Sequence, residues 1–208
     1  MIPSFSTFAA IRYGYGLGAD RAVLQSVDKM LDLLAGPDVI AKRFRITSFK
    51  IAAARMAQLQ HLRKDIQENK PDAKKHHKAV NRQALANLAL DFQVGLIRPM
   101  ASPDGLRERL VRFWSDHFSV AGRANGLRDV TSAYREEAIR PYITGRFSDL
   151  LRHAVTHPAM LVYLDQVSSI GPNSRVGKKR QKGLNENLAR EVLELHTRGV
   201  GAEYGQVD

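Results

Sequence analysis

Apolar residues recur along this chain at spacings of three and four, and no segment alternates apolar and polar over six or more residues. The first spacing belongs to amphipathic helices and the missing alternation to half-buried strands, so helices are expected throughout. A first helix is predicted over 5–13, stopped by Gly14, Gly16 and Gly18. A second covers 20–35, with Val23, Val27, Met30, Leu31 and Leu34 on one stripe and Gly36-Pro37 as its stop. A short helix near 38–44 follows. Residues 47–69 and 72–97 read as a helical hairpin around Asn69-Lys70-Pro71, because proline cannot continue a helix and biases its predecessor away from helical backbone. Ile51, Ala54, Met56, Leu59, Leu62 and Ile66 are the apolar positions of the first arm. In the second arm, Leu85, Leu88, Ala89, Phe92 and Leu96 form a stripe expected to pack inward. Its first half has almost nothing apolar, so the hairpin tip is expected to project into solvent.

Downstream, a helix over 103–119 is expected, with Ser102 as cap and Pro103 in its first turn. Gly122–Gly126 reads as a loop, and helices are predicted at 128–143, 146–156 and 158–165. Residues 166–184, rich in Gly, Ser, Lys and Arg, read as a long mobile loop. Asn185 then caps a last helix that ends at Gly199. There is no internal repeat and no linker. The fold class is all-α: an irregular multi-helix bundle with a projecting basic hairpin, no β-sheet, and one domain over residues 1–208.

Length and composition fit that picture, since 208 residues with 44% apolar and 25% charged content can bury a core. The absence of cysteine excludes disulfides and thiolate chemistry and says nothing of compartment. No apolar run reaches the length of a transmembrane helix. The segment MIPSFSTFAAIRYGYG lacks the basic start and long apolar core of a signal peptide, so a cytoplasmic location is the expectation from these residues. The net charge of +11 is concentrated: residues 41–82 hold twelve Lys/Arg against Asp65, Glu68 and Asp72, a net +9. Such a field favours an anionic partner at the 63–82 tip, with Lys70, Lys74, Lys75 and Lys78 as the patch. A solvated helix surface accounts for the same run. The tip has no aromatic residue, so phosphate contact is open to it and base stacking is not, which makes nucleic acid the less favoured partner.

The final helix carries the most distinctive chemistry. Leu184, Leu188, Val192 and Leu195 share one face, and Asn187, Arg190, Glu191 and Glu194 lie together on the other. Two carboxylates one turn apart beside an arginine and an amide suit cation binding, sugar binding or acid–base work. Glu186–Arg190, Arg190–Glu194 and Glu194–Arg198 are also ordinary i,i+4 pairs of an exposed helix. His117 falls on an apolar face between Leu106, Leu110, Phe113 and Trp114, where it serves either as a base or as a core histidine with one hydrogen bond. Trp114 is most simply a core anchor, and His196 sits at the edge of its helix's apolar stripe. Asp165 ends an apolar helix, where the helix dipole disfavours a carboxylate and a partner is required. Dinucleotide, phosphate-loop, zinc-protease, di-iron and nucleophile-elbow motifs are absent, so no cofactor is assigned and the identity of any metal stays open.

Four segments together resemble the bacterial domain-of-unknown-function family number 1800. They are Arg12-Tyr-Gly-Tyr-Gly16, Glu108-Arg-Leu-Val-Arg-Phe-Trp-Ser-Asp-His-Phe118, Pro158-Ala-Met-Leu-Val-Tyr-Leu-Asp165 and the helix Asn185–Gly199. Two positions depart from the family pattern, Gln166 where asparagine is usual and Ser115 where histidine is usual. The resemblance implies a mainly helical fold with no assigned activity, in members roughly twice this length. Many of those carry export signals, and many sit beside another uncharacterised family that resembles sulfatases. It also implies that this chain is the N-terminal portion of the family domain. It adds weight to Trp114, His117, Asp165, Asn185, Asn187, Arg190, Glu191 and Glu194 as site residues.

Three functions follow from these residues. The first is an enzymatic or ligand-binding pocket between the Trp114/His117 helix and the closing helix, with Glu191, Glu194 and His117 as catalytic groups and Asn185, Asn187, Arg190, Trp114 and Asp165 as binding groups. The second is a structural or assembly protein held by a buried polar network. The third is a basic hairpin that grips nucleic acid or another anionic surface.

Overall fold

The computed structural model describes residues 4–16, 26–122, 130–199 and 201. Among the described residues there are α-helices and short 3-10 and π segments, and no strand. The helices are α1 (Phe5–Arg12), α2 (Val27–Ala35), α3 (Val39–Arg43), α4 (Phe49–Gln67), α5 (Ala73–Ala101), α6 (Gly105–His117), α7 (Thr131–Tyr134), α8 (Phe147–Thr156), α9 (Pro158–Tyr163), α10 (Arg175–Arg180) and α11 (Asn187–Glu194). The expected Gly18 stop, residues 20–25 of the second helix and most of the Gly122–Gly126 loop lie outside the described residues.

Each N-terminal helix starts on a capping side chain. Ser4 accepts from Thr7 N, Ser26 from Lys29 N and Asp38 from Ala41 N, which satisfies amides that have no partner within the helix. Their C-termini are closed from outside, by arginines. Arg109 donates to the carbonyls of Gly14 and Ile11 at the end of α1. Arg107 donates to those of Leu33, Leu34 and Gly36 at the end of α2, and Arg98 to that of Phe44 after α3. A cation at these ends meets both the unpaired carbonyls and the negative pole of the dipole. Three arginines of α5 and α6 thus tie three short helices to the frame.

α4 and α5 form the expected antiparallel hairpin, turned by Asn69 and Asp72 in left-handed conformation around Pro71. α5 continues past its expected end and carries Pro99 in its last turn. At the tip, Lys70 is paired with Asp65 at 2.7 Å and Glu68 at 2.8 Å. The core proper lies between α4, α6, α7, α8 and α9, around Ala52, Val111, Phe118, Ile139, Leu150, Ala159, Met160 and Leu164.

Four expectations are corrected. α6 is capped by Asp104, which accepts from Arg107 N at 2.9 Å, while Ser102 bonds Asp104's own backbone. The 166–184 stretch contains α10, capped by Ser174. The closing helix is shorter than expected, because after Glu194 the chain leaves helical pairing in a turn. The largest correction concerns which faces are buried. Phe92 and Leu96 are 64% and 50% exposed, and the buried line of α5 is Ala84, Asp91 and Arg98, two turns apart each. α6 likewise buries Arg107, Glu108 and Val111, and Leu184 and Leu195, on either side of α11, are exposed. Charged groups displace apolar ones inward here because each buried charge finds hydrogen-bonding partners, which lowers its desolvation cost.

Candidate functional site

The buried charges converge on the segment that follows α7. Residues Arg135–Ile139 form a π-helical turn and Arg140–Tyr142 a 3-10 turn. Widened turns of this kind are frequent at functional sites, because they aim successive side chains in directions a regular helix does not allow. Glu136 faces α5 and takes Arg98 at 2.5 Å. Glu137 faces the other way, accepts from Phe49 N at 2.7 Å as the missing cap of α4, and lies 3.8 Å from His157. Arg140 pairs with Glu108 of α6 and with Asp38, whose Oδ2 is 2.6 Å from its Nε. Arg140 and Glu108 are each 4% exposed, so the pair is withdrawn from water. Burial works against the charge on Arg140, and the bonds to Glu108 and Asp38 overcome it and raise its pKa. Burial also works to raise the pKa of Asp38, yet Arg140, the Ala41 amide and Arg107 hold it below the ordinary value.

Arg135 breaks the pattern. Its guanidinium has no hydrogen-bond acceptor among the described residues, and the nearest carboxylate oxygen, Glu136 Oε1, is 3.8 Å away. That oxygen is itself buried without a hydrogen-bond partner. Burial lowers the pKa of Arg135, Glu136 opposes the shift, and the charges of Arg98 and Arg140 reinforce it. The side chain is 33% exposed and opens into a cavity of about 330 Å³ between α5, α6 and the π turn. Leu88, Phe92, Leu96, Arg98 and Pro99 line that cavity from α5, Glu108 and Val111 from α6, and Ser132, Arg135 and Glu136 from α7 and the π turn. Tyr15, Arg112 and Asp116 also line it. Gly95 allows the approach, since Arg135 Nη2 lies 3.3 Å from where a Cβ on that residue would sit.

The residues expected from sequence fall into two clusters elsewhere. Trp114 stacks on Phe118 at 5.9 Å, and His117 meets His196 with ring centroids 5.5 Å apart and Nε2 3.4 Å from the His196 carbonyl oxygen. His196 Nδ1 is buried without a hydrogen-bond partner. Burial, with His117 adding to it, lowers the His196 pKa. In the second cluster, Asn185 donates to the Asp165 carbonyl at 3.1 Å and accepts from Asn187 N at 2.9 Å. Asn185, Asn187 and Arg190 line a shallow depression with Lys182 and Ser168. Glu191 and Glu194 are half-buried on α11, and neither lines this depression. Among the described residues no group of three or more His, Asp or Glu is arranged to hold a metal ion.

Arg98, Arg135, Glu136 and Arg140 escaped the sequence reading. Two signals were present: two charges seven residues apart in the more apolar half of a helix, Asp91 and Arg98, and the run Arg-Glu-Glu-Ala-Ile-Arg over 135–140 within a helical segment. A family model described as a protein of unknown function (DUF1800) matches residues 9–208, nearly the whole chain. No curated protein and no solved structure matches.

Proposed function

The chain belongs to the DUF1800 family of unknown function, and from that premise we propose that its arginine-lined cavity binds a small anionic ligand. One observation carries the reading: among the described residues the Arg135 guanidinium has no hydrogen-bond acceptor where it lines the cavity, while its neighbours Arg98 and Arg140 are bonded to carboxylates and a carbonyl. A planar guanidinium fork matches the oxygens of a carboxylate, phosphate or sulfate, and Ser132 adds a hydroxyl one turn away. A charge-assisted hydrogen bond contributes about 1.5–3 kcal/mol, or about 10- to 150-fold in affinity. Calorimetric titration with acetate, phosphate and sulfate tests this. Arg135→Met keeps the apolar stem and removes the charge, so binding should fall by about that factor with the unfolding midpoint unchanged. Equal affinity in the variant would remove the proposal.

A second reading places ligand chemistry near the contact of α6 with the turn after α11, with His117, Glu191 and Glu194 as reacting groups and Trp114, Asp165, Asn185, Asn187 and Arg190 as binding groups. The buried, unpartnered Nδ1 of His196 beside His117 favours it, because such an atom gains from any ligand that offers it a bond. Zinc titration followed by imidazole nitrogen resonances is the measurement, and unmoved His117 and His196 signals would dismiss a cation at this seam. The structural reading draws support from Arg98, Arg107 and Arg109, whose bonds to backbone carbonyls hold α1 to α3 against the frame whatever the cavity binds.

A further inference from the structure

We infer that the anion held by Arg135 is the head group of an amphiphile, whose hydrocarbon chain lies along the exposed apolar row of α5. This deepens the binding proposal and rests on it. On its α5 wall the cavity carries an apolar row, Leu88, Phe92, Leu96 and Pro99, beside Arg98, whose guanidinium is already bonded to Glu136 and the Phe44 carbonyl. Gly95 lies within that row, so the Arg135 guanidinium reaches α5 level with Phe92 and Leu96 and not at a separate polar end. The row then leaves the cavity. At 100° per residue, Leu85, Phe92, Leu96 and Met100 fall within about 80° of one another, a strip about 22 Å long at the helical rise. Leu85 and Met100 are 44% and 73% exposed. Single exposed apolar side chains are ordinary, but a continuous strip that runs past a cation in a cavity is a binding feature. A free monomeric amphiphile suits the cavity of about 330 Å³, which lies at the lower end of the size range of small-molecule pockets.

The test is calorimetric titration of the whole chain with acetate, hexanoate and decanoate, each kept monomeric. Affinity should rise about fourfold per methylene covered by the row. The double variant Phe92→Ser/Leu96→Ser should flatten that series, bringing decanoate close to acetate. Both side chains are at least half exposed, so its melting temperature should stay within about 2 °C of the parent. Arg135→Met should weaken every member by a similar factor. Acetate and decanoate binding equally would overturn the amphiphile while leaving the anion site standing, as would decanoate binding untouched by the double variant. Absence of binding by all three carboxylates would overturn the anion site and the amphiphile together. Attachment to vesicles of mixed zwitterionic and anionic lipid without binding of monomeric decanoate would also overturn the inference, assigning the strip to a bilayer surface.

Discussion

At the scale of single residues, buried arginines set the energetics. Arg140 is flanked by Glu108 and Asp38 in a space that excludes water, so removing it strands two carboxylates. Arg140→Met should cost about 3–5 kcal/mol in urea unfolding, and adding Glu108→Gln should return part of that loss. A loss below about 1 kcal/mol would show that water reaches the pair. His157 and His196 act through protons. Burial depresses both pKa values, against Glu137 for His157 and with His117 for His196. The unfolded chain therefore binds more protons than the fold between the depressed values and the ordinary 6.5. Stability is complete above 6.5 and declines as pH falls through that window, so the melting temperature should drop on acidification. His157→Gln and His196→Gln should each flatten the profile, and an unchanged profile in the double variant would assign it to other groups.

At the scale of elements, close crossings and borrowed caps matter more than stripe packing. The start of α6 passes the end of α1 at Gly105 and Gly14, where a Cβ on Gly105 would stand 2.7 Å from the Gly14 Cα. Because the obstacle is backbone, Gly105→Ala must push α1 away and should cost about 1–3 kcal/mol in chemical denaturation. It should also loosen the Arg109 bonds to the α1 carbonyls, visible as faster amide exchange in α1. Existence and order of the elements were largely legible in the sequence: the 5–13, 38–44, 47–69, 72–97 and 146–156 expectations each match an observed helix within a few residues. Their burial was not. The Leu85–Leu96 stripe satisfies the amphipathic template, yet Asp91 and Arg98 point inward, because Thr47, Phe44 and Glu136 supply them with partners. Those partners are 38 to 54 residues away, beyond any local pattern.

At the scale of the whole molecule, charge is unevenly spread. Lys74, Lys75 and Lys78 are exposed at the hairpin tip, whereas Lys70 is occupied by Asp65 and Glu68, with its pKa raised and that of Asp65 lowered. The tip should therefore draw polyanions weakly and in a salt-dependent way. Retention on heparin should fall as salt rises, and Lys74→Ala/Lys75→Ala/Lys78→Ala should lower the slope of log affinity against log salt by about 2–3. An unchanged slope would place the attraction elsewhere.

The sequence by itself determined an all-helical chain, its hairpin, its basic tip and its family, because helix period, proline and glycine stops, charge runs and linear motifs are local properties. Only the tertiary structure decided which faces are inward, that Arg98, Arg107 and Arg109 close other helices, and that among the described residues Arg135 has no hydrogen-bond acceptor where Arg98 and Arg140 have theirs. Burial of a charge depends on partners brought together from distant parts of the chain, and such partners exist only once the helices have packed.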